Sequence, residues 1–171
     1  MRDESESRDA GADGTVTADA AAQRDWTVRA RGCIACGTEN PFSLGMRPYR
    51  EGDKVVCELE LRREFRGYSN VAHGGTTCMI LDELMGAAAS LTSPDTVVAT
   101  VRLQVEFARP LRVETTIRGE AWLVGRSDRD VEIEGRLLDL AGTLLARATG
   151  TFRVLSAERG RTFVGPRSTG G

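Results

Sequence analysis

Residues 73–91, HGGTTCMILDELMGAAASL, contain the stretch that decides the fold. From residue 76 to residue 91 most residues are good helix formers, and Pro94 follows shortly after, where a proline cannot continue the helix. The only charged residues of this stretch are Asp82 and Glu83. A helix without a broad polar face is normally buried on most of its sides. The sequence therefore predicts one helix over 76–91, in the middle of a domain.

After this helix the apolar residues recur every second position, which is typical of strands. Residues 97–107 alternate between the two faces, and an alternating segment upstream, preceded by a Glu-Gly-Asp turn, indicates a hairpin around 46–61. Further strands are predicted, with short turns between them, at 112–124, 129–139 and 143–155. Short links of this kind produce an antiparallel meander. We expect an α+β domain in which a curved antiparallel sheet wraps around a long central helix.

Both ends of the chain have the composition of flexible segments. Residues 1–25 carry seven acids against three arginines and almost no bulky apolar side chains, and residues 156–171 are rich in Gly, Arg and Ser. Such segments bury too little surface to offset the entropy of ordering. We expect a disordered acidic tail over 1–25, one folded domain over 26–155 and a flexible C-terminal tail over 156–171.

Charge and composition argue against several kinds of partner. The chain has 23 basic and 25 acidic residues and a formal net charge of −2, with no dense basic block interleaved with aromatic residues. Nucleic-acid binding is therefore not expected. No stretch reaches the roughly eighteen apolar residues of a membrane span, and the N-terminus lacks the basic and apolar regions of a signal peptide. We expect a cytoplasmic protein without a membrane partner.

The junction before the helix, His73-Gly74-Gly75, is the first candidate site. Two glycines let the backbone approach a ligand closely, and amides at the positive end of a helix dipole suit a carbonyl oxygen that gains negative charge. The same three residues also serve as a tight structural connection in many proteins, so the motif by itself leaves both interpretations open.

The carboxylates of the apolar helix are the second candidate. A carboxylate with apolar neighbours is costly to ionise, and this setting suits a general base at neutral pH. Glu83 lies 100° further round the helix than Asp82 and also has apolar neighbours, so helical geometry does not choose between the two acids. The helical neighbours of Asp82 offer no counter-charge; they are Cys78, Met79, Met85 and Gly86.

Together these motifs resemble those of the hotdog-fold acyl-CoA thioesterases, most closely the phenylacetate-degradation type. The resemblance spans residues 33–155. It rests on the order and spacing of His73-Gly74-Gly75, Asp82 nine residues after the histidine, Glu83–Gly86 and Val105–Pro110. Cys33-Ile34-Ala35-Cys36-Gly37, followed by Asn40-Pro41 and Leu44, resembles an N-terminal element found in a subset of that family.

The resemblance implies the hotdog fold and the hydrolysis of a thioester of coenzyme A, or of an acyl-carrier protein, to a free acid and a thiol. It implies no metal or redox cofactor, since coenzyme A enters only as part of the substrate. Asp82 matches the catalytic carboxylate, which acts either as general base or as nucleophile. Gly74 matches the residue whose amide polarises the thioester carbonyl, and Thr100 matches a hydroxyl that orients the attacking water.

Further residues join the site as candidates. His73 is a catalytic candidate, although many relatives carry Asn or Gln six residues before this histidine, where Gly67 stands here. Gly75 and Asn70 are candidates for binding the substrate. The phosphates of coenzyme A favour nearby guanidinium groups, for which the candidates are Arg109, Arg126 and Arg129. The side chains considered for the pocket wall are Tyr68, Met79, Met85 and Trp122.

The spacing of Gly74 and Asp82 carries a prediction about assembly. Eight residues on one helix span about 12 Å, whereas each contact with a reacting carbonyl must be close to ~3 Å. One carbonyl therefore cannot contact both groups of the same chain. We expect an obligate homodimer with antiparallel helices, in which each site combines Asp82 of one subunit with Gly74 of the other. Association of two such dimers stays open.

Cys33 and Cys36 stand in a Cys-x-x-Cys-Gly motif. A structural zinc site needs four ligands, and Cys57, Cys78 and the only histidine belong to other predicted elements. A redox dithiol lacks its expected βαβ context. We favour a small-residue turn near the dimer edge, while a zinc-dependent interaction domain stays open. For the domain as a whole, a non-catalytic acyl-CoA-binding module and a hydratase or dehydratase on the same fold stay open as well.

Overall fold

The computed structural model describes residues 31–93 and 96–164 of the chain. The disordered tail expected over 1–25 lies outside the described residues. Two helices are present, α1 (Gly74–Leu91) and α2 (Ala157–Val164), and a short 3-10 turn covers Arg63–Phe65. The strands are β1 (Tyr49–Glu51), β2 (Lys54–Glu60), β3 (Arg66–Tyr68), β4 (Val71–Ala72), β5 (Val98–Phe107), β6 (Thr116–Arg126), β7 (Asp130–Asp139) and β8 (Leu144–Val154).

Six strands form one antiparallel sheet in the order β1-β2-β6-β7-β8-β5, and β3 pairs with β4 separately. The hairpin around 46–61 and the meander of β6, β7 and β8 are confirmed. The strand predicted from residue 112 begins only at Thr116. Arg112 forms an isolated bridge with Val71, and Glu114 then adopts a positive φ of 60°, so a turn precedes β6.

Helix α1 lies against β2, β5, β6, β7 and β8, and most of its side chains are buried. The predicted arrangement, a long helix against a curved antiparallel sheet, is confirmed. The helix begins at Gly74, two residues earlier than predicted, because His73 caps its N-terminus. It ends at Leu91, close to the predicted position.

Three glycines line the sheet surface under α1. A Cβ atom on Gly119 of β6 would lie 2.8 Å from Cδ2 of Leu84, and one on Gly135 of β7 would lie 2.9 Å from Cγ of Met85. A Cβ atom on Gly150 of β8 would lie 2.9 Å from Cε of Met85. Real Cβ atoms do not approach other atoms so closely, and these positions therefore set how near the helix comes to the sheet.

Two side chains considered for the pocket wall point elsewhere. Met85 has 0 % exposure and fills the space over Gly135, so it belongs to the core. Trp122 alternates with the helix-facing Gly119 and Ala121 along β6, and Lys54 stacks on its ring. Side chains alternate between the two faces of a strand, so Trp122 lies on the face of the sheet away from α1.

Residues 31–48 form no helix or strand, yet several of their side chains reach the core. The loop is folded on itself, because the Leu44 amide donates to the Ile34 carbonyl at 2.8 Å and the Met46 amide donates to the Ala35 carbonyl at 3.0 Å. Its buried side chains include those of Ala35, Cys36, Leu44 and Met46. The loop is thus an ordered part of the domain.

Helix α2 lies within the segment for which we expected a flexible tail. The Ser156 hydroxyl accepts from the Arg159 amide at 3.4 Å, and the Ser156 carbonyl accepts from the Gly160 amide at 2.8 Å. Serine before a first turn that contains Glu158 is a common way to begin a helix. The helix is short and largely polar, so its sequence has no apolar repeat long enough to predict a helix.

Replacing Gly135 with alanine tests the packing of α1. We expect Gly135→Ala to lower the free energy of unfolding by about 1–3 kcal/mol, because the new methyl group must displace Met85. Gly125→Ala is the matched control, since its Cβ atom would meet Glu132 only at an ordinary 3.5 Å. Chemical denaturation of both variants measures the difference, and equal midpoints would contradict this account of the packing.

Candidate functional site

Asp82 and Thr100, two of the catalytic candidates from the sequence, lie together. Asp82 is partly exposed on α1, and its Oδ1 accepts a hydrogen bond from the Thr100 hydroxyl at 2.8 Å. Thr100 is exposed on β5. The carboxylate therefore does not lie in a closed apolar core, as its helical neighbours alone would indicate, but opens towards the edge of the sheet. Thr100 fixes its orientation.

The N-terminus of α1 leaves one backbone donor free. The His73 carbonyl accepts from the amides of Thr76 and Thr77, at 2.9 and 3.2 Å. The Gly75 amide donates to Nδ1 of the His73 ring at 2.9 Å. Within the described part of the chain, the Gly74 amide donates to no acceptor. Gly74 is thus the donor available to a ligand, and Gly75, expected to bind the substrate, already uses its amide within the cap.

His73 has a structural position that explains its presence. Its amide donates to the Phe65 carbonyl at 2.9 Å, and its ring nitrogen caps α1. Gly67 on β3 packs against it, since a Cβ atom there would lie 3.1 Å from the Cα of His73. Gly67 thus leaves room for the capping histidine.

Strand β5 runs antiparallel to α1 along its length. Thr100, near the start of the strand, contacts Asp82 in the middle of the helix. Phe107, at the end of the strand, lies at the helix N-terminus, with its ring 3.8 Å from the position of a Cβ atom on Gly74. The carboxylate and the free amide thus lie beside the same strand, and that strand is an edge of the sheet.

The candidate binding residues are spread over the surface. Arg109 follows β5 at the Gly74 end, and its guanidinium donates to the Leu144 carbonyl at 3.2 Å. Arg126 is at the other end of α1, where it donates to the Thr92 carbonyl at 2.9 Å. Arg129 is exposed in the turn after β6. One chain therefore does not bring the three arginines together.

Asn70 and Tyr68 belong to the small β3–β4 unit that precedes α1. Asn70 is exposed in the turn, where its carbonyl accepts from the Val113 amide at 3.0 Å. Tyr68 is 83 % exposed. In this single chain neither side chain is enclosed by a pocket.

The two adjacent acids have different surroundings. Asp82 faces Thr100, whereas Glu83 faces the loop of residues 31–48, where the Cys33 thiol lies 3.7 Å from its Oε2. Burial, together with the neighbouring Glu83 carboxylate, raises the pKa of the Cys36 thiol. All four cysteines are free. The sequence could not reveal this cluster, because the helix and the cysteine motif are fifty residues apart.

Comparisons with known proteins point to one superfamily. Residues 69–146, a little under half of the chain, match the family model of the thioesterase superfamily. A search of the curated proteins finds no match. Within the described residues, no helix is long and apolar enough to cross a membrane.

Solved structures show the fold. AziG of S. sahachiroi is 24 % identical, with a TM-score of 0.61, and the match covers 66 % of this chain and 92 % of AziG. A Bacillus halodurans protein solved with CoA is 28 % identical, with a TM-score of 0.54, over 58 % of this chain and 70 % of that one. A hypothetical thioesterase from Streptococcus pneumoniae, solved with coenzyme A, is 17 % identical, with a TM-score of 0.58. That match covers 65 % of this chain and 86 % of the other. The chain has the hotdog fold.

The capping role of His73 makes a prediction about stability. We expect His73→Ala to lower the free energy of unfolding by about 1 kcal/mol, because the Gly75 amide loses its acceptor. His73→Asn should keep most of the stability, since asparagine is a good N-cap residue. Thermal unfolding of the two variants distinguishes them. If both lose the same stability, the ring nitrogen does not act as the cap.

Proposed function

We propose that this protein is a thioesterase that hydrolyses an acyl-CoA, or an acyl-carrier-protein thioester, to the free acid and the thiol. The match to the thioesterase superfamily and the CoA in two structural relatives support this activity. The observation that carries it is the pairing of the Asp82 carboxylate with the Thr100 hydroxyl on α1 and β5, beside the strand that also contacts Gly74. The reaction requires no resident cofactor.

Asp82 activates the nucleophile in this proposal. As general base, its carboxylate accepts a proton from water while the water oxygen attacks the thioester carbonyl. As nucleophile, it attacks the carbonyl itself, and water then hydrolyses the anhydride. The Thr100 hydroxyl donates its proton to Oδ1, so its lone pairs face outward and can accept a hydrogen bond from the water. The other carboxylate oxygen, Oδ2, is then available to accept the proton or to attack the carbonyl.

The Gly74 amide stabilises the charge that develops on the carbonyl oxygen. It lies at the positive end of the α1 dipole and has no acceptor of its own within the described residues. A preoriented donor of this kind is worth about 2.7–4 kcal/mol to the transition state in other acyl-transfer enzymes. After attack, the tetrahedral intermediate collapses and expels the thiolate of coenzyme A, which then takes up a proton.

A complete site requires two chains in this proposal. Gly74 and Asp82 are eight residues apart on α1, about 12 Å along the axis, and one carbonyl oxygen and its carbon cannot reach both groups of the same helix. A second copy in the opposite orientation supplies the missing group at each end. Both subunits then contribute to each of two equivalent sites.

Strand β5 is the edge that can accept the second copy. The other edge, β1, has three residues, whereas β5 has ten and exposes Val101 at 52 % and Phe107 at 57 %. A long edge strand with exposed apolar side chains readily pairs with another chain. Antiparallel pairing of Thr100 with Phe107 of the partner subunit brings Asp82 beside Gly74 of the partner subunit.

The same pairing explains how dispersed arginines serve one ligand. Arg109 lies just beyond Phe107, so in the dimer it approaches the start of the partner's β5. In the partner, the start of β5 lies near the C-terminal end of α1, where Arg126 donates to the Thr92 carbonyl. The two guanidinium groups thus come from different subunits to the same end of one site, where they would bind the phosphates of coenzyme A.

Replacing Asp82 with asparagine tests the catalytic role. We expect Asp82→Asn to lower kcat about 10²–10⁴-fold, because the amide can still accept the Thr100 hydrogen bond but cannot take up a proton. Thiol release from a panel of acyl-CoA and acyl-carrier-protein thioesters measures turnover. Asp53→Asn, in the exposed turn between β1 and β2, is the control and should retain native turnover.

Two results would overturn the proposal. Native turnover in Asp82→Asn would remove the carboxylate from the mechanism. Binding of acyl-CoA by the native chain without thiol release across the panel, measured by calorimetry, would instead indicate a binding module.

Pairing of β5 makes a prediction about assembly. Light scattering should give at least twice the 18.5 kDa mass of one chain, and an even multiple of it. A variant carrying both Val101→Cys and Glu106→Cys should form a disulfide between subunits under mild oxidation, because the proposed register places these residues opposite each other. Each single variant is the control and should not crosslink through this register. A monomer with full activity would contradict the two-chain site.

A further inference from the structure

A second cluster of chemically reactive side chains lies beside α1, about 100° round the helix from the Asp82–Thr100 pair. It contains Cys33 and Cys36 of the loop of residues 31–48 and Glu83 of the helix. The two Sγ atoms and a carboxylate oxygen all lie within 4.8 Å of one another. Cys36 is buried, and the other two residues are partly exposed.

The backbone around the cysteines holds the two Sγ atoms close together. The Ala35 amide donates to Sγ of Cys33 at 3.3 Å, and the Gly37 amide donates to the Cys33 carbonyl at 2.9 Å. Gly37 is required by this turn, because a Cβ atom there would lie 2.4 Å from the Arg31 carbonyl oxygen. The hydrogen bond from the Ala35 amide fixes the direction of the Cys33 side chain. Metal ions bind the thiolate form of cysteine.

The distances fit a tetrahedral zinc ion. Zinc binds cysteine sulfur at about 2.3 Å and carboxylate oxygen at about 2.0–2.2 Å, so tetrahedral geometry separates sulfur from oxygen by about 3.6 Å. Sγ of Cys33 lies 3.7 Å from Oε2 of Glu83. The remaining separations in the cluster are within 4.8 Å, so closing around an ion requires side-chain movements of about an ångström.

The cluster also lacks a cation of its own. Within the described residues Glu83 forms no ion pair. The guanidinium of Arg47 points its Nη1 to the carbonyl oxygens of Cys36 and Met46, at 2.9 and 2.6 Å, rather than to the acid or the thiols. A partly buried carboxylate beside two thiols is a setting that a divalent cation stabilises.

We propose that Cys33, Cys36 and Glu83 bind one zinc ion, with water in the fourth position. Binding displaces the thiol protons to solvent and joins the loop of residues 31–48 to α1. The expectation of no metal rested on the lack of further cysteine or histidine ligands, and the third ligand comes instead from the helix. This site is separate from the proposed catalytic groups and does not depend on the thioesterase activity.

Metal binding to the full chain tests this site. Protein stripped with a chelator and titrated with zinc against a chromophoric chelator should bind one ion per chain. Cys33→Ser and Glu83→Gln should each weaken binding at least tenfold, whereas Cys78→Ser, which changes a thiol of α1 outside the cluster, should not. Cobalt added in place of zinc should give a thiolate-to-metal charge-transfer band that Cys33→Ser diminishes.

Thermal unfolding provides an independent readout. Zinc should raise the midpoint of the native chain and of Cys78→Ser, but not that of Glu83→Gln. The proposal is overturned if zinc does not bind in a one-to-one ratio, or if Cys33→Ser and Glu83→Gln bind it like the native chain. It is also overturned if mass spectrometry of freshly purified protein, kept free of added oxidant, finds Cys33 and Cys36 joined as a disulfide.

Discussion

The close packing of α1 on a glycine-lined sheet is the constraint on which the rest of this structure depends. Met85 has 0 % exposure and fits over Gly135 and Gly150, and Leu84 fits over Gly119. These contacts fix both the height of the helix over the sheet and its rotation. Because rotation decides where every helical side chain points, the same contacts place Asp82 at β5 and Glu83 at the loop of residues 31–48.

Much of the architecture could be predicted from the sequence, because period and turn signals are local. The predicted helix differs by two residues at its start, and the strands of the meander lie close to their predicted limits. The errors have two different causes. β6 begins late because Arg112 pairs with Val71, a contact between distant segments. Helix α2 begins at a capping serine and has no apolar repeat, so apolar periodicity does not predict it.

The candidate site, too, could be predicted only in part from the sequence. Asp82 and Thr100 are each candidates through a resemblance in spacing, and the structure adds that their side chains are in contact. Helical geometry does not choose between Asp82 and Glu83, since both have apolar neighbours along the helix, and the preference for Asp82 rests on the resemblance. What packs beside α1 gives the two acids different contacts, with Thr100 for Asp82 and Cys33 for Glu83. The sequence also could not show which of the two glycine amides is free. Only the hydrogen bond from the Gly75 amide to the His73 ring distinguishes Gly74 from Gly75.

The adjacent acids Asp82 and Glu83 connect α1 to two different parts of the structure. A step of one residue turns the side chain by 100°, enough to direct Asp82 to an edge strand and Glu83 to the N-terminal loop. Strand β5 connects the helix to the proposed second subunit, and the cysteine loop connects it to the rest of its own chain. In the proposed mechanism the Asp82 carboxylate must be held to within about half an ångström, which requires a helix that does not rotate. An ion held by Glu83 would resist that rotation from the neighbouring position, without touching the substrate.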